Sequence, residues 1–239
     1  MIVNAEGVSY EQLNRKIREC SDKDIIVENC MGHRYIGAGI CEKNIIVQGV
    51  PGNAMGAYLH GGSITVMGNA QDAAGDTMNS GVICVHGSVG DAAGYAMRGG
   101  TIYIRDDAGY RAGVHMKAYM DSEPVMIIGG CAGSFLGEYQ AGGRIIVMNL
   151  REEKYSTGNF CGTGMHGGKI YIRGQSLPEV LPVQVTVSAA TAEEIEEIQR
   201  YVEGYCSFFG GDPDMLMQAG FHTLKPDEKQ KYTQIYVDI

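Results

Sequence analysis

Ile64-Thr-Val-Met-Gly68-Asn-Ala-Gln-Asp-Ala-Ala-Gly75-Asp-Thr-Met78-Asn-Ser-Gly-Val-Ile83-Cys-Val85 is the stretch on which the fold turns. An alternating pair, Ile64 and Val66, returns nineteen residues later as Ile83 and Val85. The same spacing runs backward to Ile45 and Val47 and forward to Ile102 and Ile104. Glycine keeps step at fixed offsets: Gly49, Gly68 and Gly87, then Gly52, Gly90 and Gly109, then Gly56, Gly75, Gly94 and Gly113. A repeat of ~20 residues with one short strand per copy predicts stacked units that bury apolar surface only against their neighbours.

Alternation points Ile64 and Val66 inward, and corner glycines supply positive φ or close backbone approach. Leu59, Met78, Met97, Met116 and Met165 recur at one offset and predict a column of unbranched side chains in the core. An irregular first copy begins at Ile25-x-Val27, and later ones at Val125-x-Ile127, Ile145-x-Val147 and Ile170-x-Ile172. About eight rungs result. Extra residues at 117–123 and 150–157 break the period, and insertions in such arrays form loops, often on the working face. Because parallel connections are right-handed almost without exception, the expectation is an all-β, right-handed parallel β-helix.

Three parts follow along the chain. Residues 1–22 hold a capping helix at about 10–20, announced by Ser9 and Gln12 as a capping box with Leu13, Ile17 and Cys20 on one face. Residues 23–176 are the repeat, and residues 177–239 a helical extension. In the extension, Val183-x-Val185-x-Val187 reads as a strand. Thr191 and Glu194 open a helix whose stripe is Ile195, Ile198, Val202, Tyr205 and Phe209. Asp212-Pro213 starts a further short helix, and the tail from Phe221, with Tyr232 and Tyr236, is expected to lie over the body.

The 239 residues are 44% hydrophobic with a net charge of −9, a folded composition without the basic stripe that nucleic-acid binding needs. No apolar run reaches the ~20 residues of a membrane span, and the first residues, without a basic stretch or an apolar core, are not expected to act as a signal peptide. The seven cysteines, an odd set without a C-x-x-C pair, fit reduced thiols and a cytoplasmic location.

The glycine-punctuated returns Gly52-Asn-Ala-Met-Gly56-Ala-Tyr-Leu-His-Gly-Gly62 and Gly68-Asn-Ala-Gln-Asp-Ala-Ala-Gly75 resemble the GXGXG domain. That domain closes the glutamate synthase large subunit and also forms a subunit of formylmethanofuran dehydrogenase. The resemblance covers about residues 22–174, and the helical C-terminal part is similar to the glutamate synthase version. A free-standing chain of this kind resembles the split glutamate synthases. It implies a scaffolding, non-catalytic subunit of a complex that makes glutamate from glutamine and 2-oxoglutarate. The alternatives are the formylmethanofuran dehydrogenase-like subunit and a stand-alone enzyme using a cleft between the two inserts. The partners implied are the glutaminase and FMN-binding synthase subunits, with self-association also open and no nucleic acid or membrane. FMN and iron–sulfur clusters are expected on partners only.

No catalytic, cofactor-binding or metal residues are assigned to this chain. Gly162-Thr-Gly164-Met-His-Gly167 satisfies G-x-G-x-x-G, but a strand pattern rather than a helix follows it. His60, Asn79, Arg98, Ala141 and His166 stand four residues before successive strands, either an anion or partner contact or a solvated edge. His33, His86, His115 and His222 lack metal-ligand spacing. Asp72, Asp91, Asp106 and Asp107 lack the calcium-binding nonapeptide period. Glu152-Glu153 and Glu193–Glu197 read as a loop and a solvated helix face. The outward column Ile26, Ile46, Thr65, Cys84, Tyr103, Met126, Ile146 and Tyr171 is too apolar to face water, so the C-terminal helix or another subunit must cover it.

Overall fold

The computed structural model describes residues 1–227. Strand β1 (Ile2–Asn4) and helix α1 (Tyr10–Glu19) lead into eight strands, one per copy of the repeat. These are β2 (Asp24–Met31), β3 (Asn44–Val50), β4 (His60–Val66), β5 (Ser80–Val85), β6 (Thr101–Ile104), β7 (Val125–Ile128), β8 (Ala141–Val147) and β9 (Gly167–Arg173). Then come β10 (Val185–Ala189), α2 (Ala192–Phe209), α3 (Pro213–Gln218) and β11 (Phe221–Pro226).

All eleven strands form one sheet in the order β1-β2-β3-β4-β5-β6-β7-β8-β9-β11-β10. It is parallel from β1 to β9, and β11 and β10 add antiparallel pairs. This corrects the expected right-handed parallel β-helix. The chain is rich in β structure, but its strands make a single open sheet with β1 and β10 as edges. The return segments are turns, joined from copy to copy by single bridges such as Ala70 to Val89 and Val89 to Ala108.

The cause is local. The returns between β3 and β8 each carry a pair of non-glycine residues four apart in the left-handed region, as at Ala73 (φ 57°) and Thr77 (φ 51°), then Ala92 (φ 56°) and Ala96 (φ 48°). Such residues cannot continue an extended ladder. They are held by hydrogen bonds to the next copy, Ala73 N–H to Asp91 O at 2.8 Å and Thr77 N–H to Tyr95 O at 2.7 Å.

The nineteen-residue register is kept residue for residue, with Ile45, Ile64, Ile83 and Ile102 in one inward column. That column, the methionines and α1's Leu13 and Ile17 share one core. Gly75 shows why the corners are glycine. Its φ is +72°, and a β-carbon there would lie 2.6 Å from Ile102 Cδ1.

One copy is displaced from expectation. Met126, not Val125, continues the inward column, and Val125 and Ile127 face outward. The methionine column also has a polar member: Gln140, fully buried, fills the place between Met116 and Met165. Its Nε2 donates to the carbonyls of Gly142 (3.2 Å) and Gly143 (3.1 Å).

Both predicted capping boxes are formed, at Ser9/Gln12 and Thr191/Glu194. The segment from Phe221 does not drape over the body but inserts between β9 and β10 as β11. Tyr232 and Tyr236 lie outside the described residues.

Candidate functional site

The outer sheet face is covered along half its length. α2 crosses the strands from β11 toward β5. Ile198, Val202 and Tyr205 pack on Tyr103, Ile127, Ile146 and Tyr171. The Tyr205 hydroxyl donates to Arg105 O at 2.9 Å, and Phe209 meets the His86 ring edge-on at 5.0 Å.

A charged cluster pins the start of the helix. Glu197 accepts from the Tyr171 hydroxyl (2.9 Å), Lys169 Nζ (3.0 Å) and Arg144 Nε (3.3 Å), and Arg144 also pairs with Glu123. Glu194, 4% exposed, accepts from Thr223 Oγ1 (3.0 Å) and from the Thr191 amide (3.1 Å), and pairs with Lys225 at 2.5 Å. Burial alone would raise the Glu194 carboxyl. The Lys225 ammonium and the Thr191 and Thr223 donors outweigh it and hold the group at about 2. Glu197 is lowered in the same way: Lys169, Tyr171 and Arg144 overcome its burial. The solvated face expected over Glu193–Glu197 is therefore replaced at two positions by anchoring carboxylates. Their signal in the sequence was basic side chains, Arg144 and Lys169, at outward strand positions facing an acidic helix start.

The first half of the same outer column is open. Tyr171 and Ile146 are fully buried and Cys84 and Tyr103 nearly so, whereas Thr65 and Ile26 are half-buried and Ile46 (39%) and Ile2 (64%) are exposed.

On the return side, aromatic rings collect at the left-handed positions. Tyr35, Tyr58, Tyr139 and Phe160 are exposed, as are Tyr95 and Tyr110 close by. His115 stacks on Tyr139 at 5.2 Å, Phe135 stacks on Phe160 at 4.9 Å, and Arg111 lies 4.6 Å over the Phe135 ring. Arg111 is held by Glu138 at 3.0 Å. Exposed tyrosine, phenylalanine and arginine are the residue types enriched in protein interfaces.

The hollow that the second insert borders is not shared with the first. Residues 150–157 border a hollow of about 490 Å³ with Asp107 and Cys131, closed on one side by the Arg151–Asp107 ion pair. Nothing from residues 117–123 lines it. That insert is a turn bridged between Tyr119 and Ser122. In the hollow the Cys131 thiol rests 3.3 Å from Asn149 Oδ1, and burial together with Asp107 pushes it up, away from the thiolate.

The singled-out sequence residues are otherwise occupied. His60, Asn79, Arg98, Ala141 and His166 do form one column, each amide donating to the carbonyl of a core residue in the preceding copy. Lys117, overlooked in the sequence, stands between Arg98 and Ala141 and donates in the same way. Asp72, Asp91 and Asp107 accept from the amides of Asp91 (3.0 Å), Tyr110 (2.8 Å) and Cys131 (2.7 Å), tying successive copies together. His33 accepts from the Met31 amide at Nδ1 (3.2 Å), so its Nε2 proton faces Val8 O at 2.9 Å. His222 is 2.8 Å from Gly174 O. Burial pushes Cys30 up to about 11 and Cys84 and Cys161 up to about 12. Gly162 and Gly164 take positive φ at a corner, with β9 after them rather than a helix. Among the described residues no three His, Cys, Asp or Glu side chains converge as a metal site would require, and no helix is long and apolar enough to cross a membrane.

Comparison with known proteins agrees with this architecture. An uncharacterized protein of Methanocaldococcus jannaschii is 41% identical over 250 residues, covering 99% of this chain and 96% of its own. A chain of the formyltransferase/hydrolase complex of Methylorubrum extorquens, solved with methylofuran, has the same fold. Its TM-score is 0.68 at 19% identity, over 94% of this chain and 90% of that one. The GXGXG motif model matches residues 13–235, and the chain belongs to that family.

Proposed function

We propose that this chain is a non-catalytic subunit that holds the glutaminase and FMN-binding synthase subunits of a split glutamate synthase in register, with FMN and iron–sulfur clusters on those partners. The observation that carries the reading is the pair of long exposed surfaces, the aromatic return side and the open half of the outer sheet face. Apolar surface of that extent belongs against another chain. The glutamate synthase assignment rests on the resemblance of the returns and of the C-terminal helical part.

A second reading has its own support. The likeness to a chain of a formyltransferase/hydrolase complex extends nearly end to end, C-terminal part included, and favours a subunit of that kind of assembly. Purification from native extract separates the two. Co-purifying glutaminase and flavoprotein chains support the first, and formyltransferase chains support the second. Recovery of this chain alone at its own mass, or turnover of glutamine with 2-oxoglutarate by the isolated chain, overturns the scaffolding role.

A further inference from the structure

We propose that the open half of the outer face, across β1 to β4, seats an amphipathic helix of a partner subunit whose apolar stripe is flanked by Lys or Arg. The inference rests on the scaffolding reading and names the site where one partner engages.

Continuity is the first argument. Ile2, Ile26, Ile46 and Thr65 lie in the same outward column as Cys84, Tyr103, Ile127, Ile146 and Tyr171, which α2 and its end cover. α2 stops at Gly210 beside His86, so the column continues uncovered past the end of the helix. Four strands and the step to β5 measure ~19 Å at ~4.8 Å each, the length of a helix of ~13 residues. A shallow apolar hollow of about 360 Å³ at the β1 end, lined by Ile2, Ile26 and Ile46, offers a place for one large side chain.

Charge is the second argument. Under α2 the sheet presents Arg144 and Lys169, and the helix answers with Glu194 and Glu197. The open half has the opposite sign. Its flanking outward residues are Asp24 and Glu28 on β2, with Asn44 and Gln48 on β3. A helix that repeats the α2 arrangement here must therefore be basic.

A second copy offers no such helix among the described residues, because its α2 is acidic and already packed, and its α1 has Leu13 and Ile17 buried.

The test places a photoreactive benzoylphenylalanine at Ile46, and in a parallel preparation at Tyr58 on the return side, in the full chain within its native complex. After irradiation the cross-linked peptides are sequenced. The expected product at position 46 is one partner peptide with apolar residues at helical spacing and Lys or Arg beside them. In the same complex, Glu28→Lys should weaken retention of that partner by about tenfold at low salt, and less as salt rises, with the melting temperature of the isolated chain unchanged.

A cross-link from position 46 to a second copy of this chain, to an acidic or extended peptide, or to nothing while position 58 labels a partner overturns the proposal. The scaffolding reading survives each of these. Unchanged retention in Glu28→Lys also overturns it. A chain that purifies alone, with no cross-link at either position, removes both.

Discussion

Gly75 concentrates the logic of the repeat in one residue, because its left-handed φ and the Ile102 methyl 2.6 Å from its missing β-carbon both exclude a side chain. Gly75→Val should cost about 2–4 kcal/mol, combining backbone strain with overpacking, read as a lower denaturant midpoint. A stability within a few tenths of a kcal/mol of the parent would reject the corner assignment. Ala73, at φ 57°, is the converse. Glycine there relieves ~1–2 kcal/mol of strain but frees the unfolded chain by ~0.4–1, so Ala73→Gly should stabilise by ~0.5 kcal/mol. The glycine columns were legible because the period is strict. The alanines in left-handed positions were not, since nothing in the residue type marks them. Gln140 was hidden for a related reason, a polar residue in a methionine column whose spacing the 117–123 insert had already shifted.

At the scale of elements, the clearest dependence is that of α2 on its two carboxylates. Glu197→Ala leaves Arg144, Lys169 and the Tyr171 hydroxyl without their shared acceptor, and should destabilise by about 3 kcal/mol with the denaturant slope unchanged. Glu194 sets the acid response. Its folded value of about 2 lies below the ~4.3 of a free glutamate, so its contribution is complete above ~4.3 and fades as pH falls toward about 2. That contribution is at most ~3 kcal/mol, and Glu194→Gln should flatten the loss of melting temperature between about pH 5 and pH 2.5. An unchanged acid profile in that variant would show that the carboxyl is not held by Lys225 and Thr223. The helix itself was readable from Thr191, Glu194 and the Ile198–Val202–Tyr205 stripe. Its landing place was readable as one of two alternatives for covering the outward column, but how far along that column it reaches was not, since Tyr205 meets a residue one hundred positions away. β7 was misread by one residue because Val125, Met126, Ile127 and Ile128 are all buried, one pair in the core and the other under α2, so alternation vanishes there.

Over the whole molecule, the sequence carried the stacking of copies but not the form of the sheet. Period and inward columns depend on side chains that the sequence displays. Whether a return becomes a further strand or a turn depends on backbone angles at residues such as Ala92 and Ala96, which it does not display. The resulting sheet is built from nearest-neighbour contacts between copies, and that has a consequence for length. Removing Ala54 through Asp72 deletes one full period, joins Asn53 to Ala73 in the place of Ala54, and lets β3 pair with β5 in the register β4 had used. None of the strands under α2 is lost. Interface energies in such arrays sum over neighbours, so the shortened chain should still fold cooperatively, with a lower melting temperature. Removing only Ala54 through Gly62 takes about half a copy, deletes the corner at Gly56 and leaves the return too short to reach the next strand. That variant should lose the cooperative transition by circular dichroism. If both deletions melt alike, the copies are not interchangeable units, and the nineteen-residue period is a feature of composition rather than of assembly.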